Sequence, residues 1–129
     1  MKNKHYLYSR AVRIWLITGL AMLLGQVILG GITRLTGSGL SITKWDVVTG
    51  VIPPMNEKEW IEAFDLYKET PQYHKINSTF DLDQFKYIYF WEFFHRFWVR
   101  ALGLIFLFPF LYFILSKTID RQLIKRLGL

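Results

Sequence analysis

The stretch IWLITGLAMLLGQVILGGI, residues 14–32, decides the fold class, because its nineteen consecutive residues carry no charge. At 1.5 Å of rise per residue, a helix of this length spans roughly 28 Å, close to the thickness of a bilayer core. Lys2, Lys4, Arg10 and Arg13 precede it, which is also how a cleaved signal begins. The run is longer than the usual signal core of about 7–15 apolar residues, however, and no A-x-A-like cleavage site follows. The reading is therefore a retained membrane helix over about residues 13–33.

Downstream, ALGLIFLFPFLYFILS at 101–116 is a second uncharged run. It is short for a span, but the helical pattern extends upstream through the aromatic-rich segment 87–99. Asp81 with Gln84 three residues on has the spacing of a capping box, so the second helix is expected from 82 to about 117. Its length of about 52 Å would carry its first turns beyond the bilayer, and Pro109 inside the span is expected to kink it. Between the two helices, Pro53-Pro54 breaks the chain. Asn56 and Glu59 are then placed to cap a short helix, and Trp60, Ala63, Phe64 and Tyr67 form one apolar stripe on it. Such a stripe most often packs on its own protein. The expected architecture is an all-α membrane protein: two transmembrane helices joined by a long outer loop, 34–81, that contains a short amphipathic helix.

Charge placement orients this arrangement. Of the 129 residues, 52% are hydrophobic and 20% charged, with a net charge of +6. The first thirteen residues hold four Lys/Arg and no acid, and the tail from Lys117 holds four against Asp120 alone. The segment 33–86 holds six Lys/Arg against eight acids. The positive-inside rule then puts both termini in the cytoplasm and the loop outside. The basic residues flank apolar runs, so the lipid bilayer, and not nucleic acid, is the expected partner. There are no cysteines, which excludes disulfides, zinc-thiolate sites and thiol chemistry.

Ionisable residues near a span are expensive and draw attention as functional candidates. Arg34, Arg100 and the cluster Glu92, His95, Arg96 qualify. Counting residues from the inner boundaries Arg13 and Lys117 puts Arg34 and His95 at similar height, roughly 31–33 Å along their helices. Glu92 and His95 share a helix face, and Arg96 is placed to pair with Glu92. Imidazole suits a heme iron, and a carboxylate one turn away is suited to accept a proton or orient a bound group. Val99 and Gly103 continue that face, and Gly103 leaves room for a flat macrocycle. Two readings stand side by side: a heme site, or an interfacial Glu92–Arg96 ion pair with His95 as an ordinary residue near a helix end. Arg100 is read either as a partner for an anionic group such as a propionate or as a side chain snorkelling to lipid phosphate or water. Gly30, Gly31, Gly37 and Gly39 surround Arg34 without phosphate-loop spacing. They predict a tight, hydroxyl-rich turn that offers Arg34 and backbone N–H groups to an anion. Ala21, Gly25 and the lone polar Gln26 are read as helix-packing residues. His74 is read as solvated and His5 as part of the basic tail.

The stretches GGITRLTGSGLSITKW at 30–45, PP-x(4)-EW at 53–60, FKYIYFWEFFHR at 85–96 and R-x-x-G at 100–103 resemble heme A synthases, the cytochrome oxidase assembly family that converts heme O to heme A. The resemblance runs in order along nearly the whole chain. It implies an eight-helix bundle of two similar four-helix halves, of which this chain is similar to the first two helices and the first outer loop. It implies oxidation of a porphyrin methyl group to a formyl group through hydroxylation. His95 would be one histidine ligand of the heme iron at the N-terminal site, where heme O sits, and Glu92 the acidic partner needed for oxidation. Arg34 and Arg100 are carried as cofactor-binding candidates. A heme b would occupy the other half as cofactor, and heme O synthase is a candidate partner. Many bacterial members carry a cysteine pair in the first outer loop, which this chain lacks. On this reading the chain is a fragment, inactive without the remaining helices. The short N-terminus, without a transit-like segment, points to the cytoplasmic membrane of a bacterium. The alternative is a small heme-binding or assembly membrane protein without catalysis.

Overall fold

The computed structural model describes residues 9–44 and 52–127; the basic residues Lys2 and Lys4, His5 and Trp45 lie outside the described residues. Every regular element among them is helical: α1 (Arg10–Leu35), α2 (Glu57–Lys68), α3 (Leu82–Leu115) and α4 (Arg121–Arg126), with a π-helical turn at Tyr73–Asn77. α1 and α3 are the two elements long and apolar enough to cross a membrane. At 26 and 34 residues they extend about 39 and 51 Å. Their apolar side chains point outward: Ile17, Leu20, Val27, Ile28, Phe108 and Tyr112 are each at least 60% exposed. A surface of that kind is stable only against lipid or further protein.

The chain divides into two compact units, one of residues 26–99 and one of residues 1–25 with 100–129. In the second, Val12 and Trp15 of α1 pack with Phe110 and Phe113 of α3 and with Ile119 and Leu123 beyond it. The Trp15 ring lies 4.7 Å from that of Phe106 and 5.4 Å from that of Phe113. Gly19 faces Phe106, where a Cβ would sit 3.6 Å from the ring. Close packing of α1 against Phe106 thus falls to Gly19, while of the expected pair Ala21 is exposed and Gly25 half-buried. α3 runs through Pro109 without a break. It ends in a Schellman cap: Thr118 N–H donates to Phe113 C=O at 2.9 Å and Lys117 N–H to Ile114 C=O at 3.0 Å, with Lys117 at φ 53. Asp120 then accepts from Leu123 N–H at 2.8 Å and starts α4, an element the sequence pattern did not signal.

In the unit 26–99, both expected caps form. Asp81 and Gln84 exchange bonds of 2.8 and 3.0 Å at the start of α3. Asn56 accepts from Glu59 N–H at 2.9 Å, while the Glu59 carboxylate reaches back to Met55 N–H and the Asn56 amide, both at 2.8 Å. The α2 stripe packs on its own protein. Phe64, Tyr67, Phe85 and Ile88 are buried together, with Trp60, Ala63 and Tyr89 around them. The Phe85 ring is 5.0 Å from Phe64 and 5.2 Å from Tyr67. The segment after Pro71, expected as a loop, is helical. Its Asn77 amide donates to the buried Tyr67 hydroxyl at 2.7 Å. Burial pushes the Tyr67 phenol pKa up, and that hydrogen bond opposes the rise. His74 is exposed, as expected. Phe85, with 0% of its surface exposed, is the keystone of this cluster. In the full-length protein, Phe85→Ala should cost about 3–5 kcal/mol, read as a lower melting temperature and faster proteolysis in the 52–82 region.

Candidate functional site

The turn after α1 is built before the site it serves. Gly37, at φ 64, closes a second Schellman cap, in which Ser38 N–H donates to Thr33 C=O at 2.9 Å and Gly37 N–H to Arg34 C=O at 3.3 Å. A left-handed residue is required there, and glycine takes that conformation without steric cost. The Thr36 hydroxyl bonds to Ile32 C=O at 2.8 Å and pairs with the Ser38 hydroxyl. Ser38 and Ser41 are 0% and 1% exposed. The expected tight, hydroxyl-rich turn is therefore present, and its hydroxyls satisfy the chain's own polar groups.

Glu92 gathers this turn onto α3. One carboxylate oxygen accepts from Ser41 Oγ at 2.6 Å and from Ile42 N–H at 2.8 Å. The other pairs with the Arg96 guanidinium one turn along the helix. Glu92 is 6% exposed. A carboxylate is tolerated at that depth because both oxygens carry charge-assisted bonds. Leu40, directly before Ser41, has φ 69. A left-handed leucine costs about 1–3 kcal/mol and persists only where its neighbours over-determine it. The two bonds from Glu92 to the following residues do that. The expected ion pair of Glu92 and Arg96 forms, and Glu92 also anchors the loop.

His95 lies one turn from Glu92 and is half-buried. Its Nε2 meets the side-chain amide of Gln26 on α1. The remaining amide atom of Gln26, Oε1, is buried with no hydrogen-bond partner. Gly30 faces the same nitrogen, and a Cβ there would come within 3.5 Å of it. Gly31 has open space where a Cβ would be. Gly30 therefore sets no side chain of its own against the imidazole nitrogen that Gln26 engages. The donor fits a ligand of a heme iron: an imidazole nitrogen engaged by a neutral amide, with a glycine facing it. Gln26, read from sequence as a packing residue, belongs to this cluster. An isolated polar residue in an apolar run was the one signal for it, and its partner is 69 residues away.

The structure does not bring every candidate together. Arg34 is exposed in the last turn of α1, and no hydrogen bond or ion pair joins it to Glu92 or His95. Arg100 is half-buried five residues beyond His95 on α3 and falls in the other unit. Gly103, in that same unit, has open space where a Cβ would be. Among the described residues, no group of three His, Cys, Asp or Glu is arranged to hold a metal ion.

A family described as cytochrome oxidase assembly protein matches residues 13–129. The chain is 52% identical to the heme A synthase of Saccharomyces cerevisiae over 119 residues, which is 92% of this chain and 24% of that protein. It is 49% identical to a heme A synthase of Flavobacterium johnsoniae, over 92% of this chain and 35% of that one. With a heme A synthase of Parvibaculum lavamentivorans it shares 50% identity over 91% of its own length and 34% of the relative's. The chain thus spans about a quarter to a third of the length of the curated relatives it matches. No solved structure matches it. A family match over nearly all of an all-helical chain with two membrane-length helices leaves one assignment: this chain belongs to the cytochrome oxidase assembly protein family that includes the heme A synthases.

Proposed function

We propose that this chain supplies part of the N-terminal heme site of a heme A synthase acting on heme O, with His95 as one axial ligand. The observation that carries the reading is the Glu92–His95 pair on α3. The carboxylate is buried and held by three donors, and the imidazole one turn away is half-buried, faces Gly30 and is hydrogen-bonded to a neutral amide. Bound heme O would supply the porphyrin methyl group. In balance, the methyl group takes one oxygen at the oxidation level of water and releases four electrons and four protons, the electrons passing to an acceptor outside this chain. Glu92 is the acidic partner in that oxidation and holds the 38–42 turn beside the site. Arg34 and Arg100 are assigned to anionic groups of the heme, the propionates being the natural candidates. A heme b cofactor belongs to the part of the relatives this chain does not cover, as do the helices that complete the bundle; heme O synthase is the assigned source of substrate. The orientation that follows from Lys and Arg placement puts 34–81 on the outer face of a bacterial cytoplasmic membrane and both termini inside.

The test is production of heme A. The full-length reading frame, expressed in a host that makes heme O, should yield heme A by chromatography of extracted pigments. A folded, membrane-inserted protein that yields none while still binding heme would sink the synthase reading in favour of a heme-binding or assembly role.

A further inference from the structure

We infer that Gln26 is a placeholder for the heme iron: its side-chain amide occupies His95 Nε2 in the heme-free protein and must release it before the histidine ligates. This rests on the assignment of His95 as an axial ligand. The argument is one of exclusion at a single atom. A neutral imidazole offers one lone pair, on one ring nitrogen. Gln26 sits on Nε2, the nitrogen that iron most often takes, so amide and metal cannot hold it together.

The contact is also built to be lost. The amide nitrogen donating to Nε2 leaves the proton on Nδ1, which is the tautomer that iron ligation needs. Exchange of partner at Nε2 then requires no proton transfer. The bond is between neutral groups and is worth only a modest amount. Gln26 Oε1 is buried without a hydrogen-bond partner, so the amide is not locked into a satisfied network. Gly30 puts no side chain against that nitrogen, where a Cβ would come within 3.5 Å, so the Gln26 amide is the group hydrogen-bonded there. The same contact keeps a lone imidazole from standing bare in an apolar setting before heme arrives, which accounts for a glutamine in an otherwise apolar run.

The test uses the full-length protein, freed of heme in detergent and titrated with hemin, with the rate and midpoint of Soret-band growth as readouts. Gln26→Leu should raise the association rate and tighten binding by about fivefold, the worth of one neutral hydrogen bond. Gln26→Met, similar in length to glutamine, should behave likewise and serves if the leucine variant does not fold. The gain must vanish when His95→Ala is added. Binding by the Gln26 variants that is unchanged or weaker overturns the placeholder role. His95→Ala protein that takes up hemin with the wild-type spectrum and midpoint overturns, instead, the assignment of His95 as ligand.

Discussion

His95→Ala in the full-length protein should abolish heme A formation in a heme-O-producing host, with yield falling more than about a hundredfold. The magnitude follows from the place of the side chain. Loss of a group that merely orients a metal ligand costs about 10–100-fold, and this substitution would remove the ligand itself. The cost to the fold should be small, because the imidazole is only half-buried and its bond to Gln26 is between neutral groups. A net loss of about 1 kcal/mol is expected from that bond. Chromatography of extracted pigments measures the first effect, and a thermal melt in detergent the second. Full heme A yield from the variant would remove His95 from the site; a collapse of the melt would make its role structural.

Glu92 should behave differently, since it supports both the loop and the site. Glu92→Leu leaves the Ser41 hydroxyl and the Ile42 N–H without the acceptor they share, and it takes the carboxylate from Arg96. Each buried donor left unmade costs about 1–3 kcal/mol, and Leu40 would lose the bonds that fix its left-handed backbone. A destabilisation of about 3 kcal/mol is expected, with proteolysis appearing in 38–44 and heme A lost. Glu92→Gln keeps an oxygen to accept from the turn but removes the charge. Its fold should hold to within about 1–2 kcal/mol, while heme A falls at least tenfold, because the amide cannot serve as the acidic partner. A Glu92→Gln protein with normal heme A yield would leave Glu92 as a loop anchor alone.

The two substitutions separate what was legible in the chain from what was not. Residues 14–32 and 101–116 announce two membrane helices because the length of an apolar run is read directly against bilayer thickness. Asn56 with Glu59 and Asp81 with Gln84 announce helix starts because a cap involves residues three apart. Trp60, Phe64 and Tyr67 announce a buried face by their spacing alone. Glu92, Arg96 and His95 declare a shared helix face for the same reason. All of these are local, and local geometry is what a linear pattern encodes.

What the tertiary structure decided is of another kind. The partner of Glu92 across the fold is the turn at Ser41 and Ile42, about fifty residues earlier. The partner of His95 is Gln26, 69 residues away. No periodicity specifies such pairs, because they depend on which faces of α1 and α3 meet and on where a left-handed Gly37 turns the chain back. The glycines near Arg34 suggested an anion-binding turn; folding turned its hydroxyls inward, onto Thr33, Ile32 and Glu92, and left Arg34 exposed. By itself, then, the sequence determined that this is a helical membrane chain with a Glu-x-x-His helix. Only the packing of α1 against α3 within residues 26–99 decided what the glutamate and the histidine hold, because a buried polar group takes its partner from whatever the fold brings within hydrogen-bond reach.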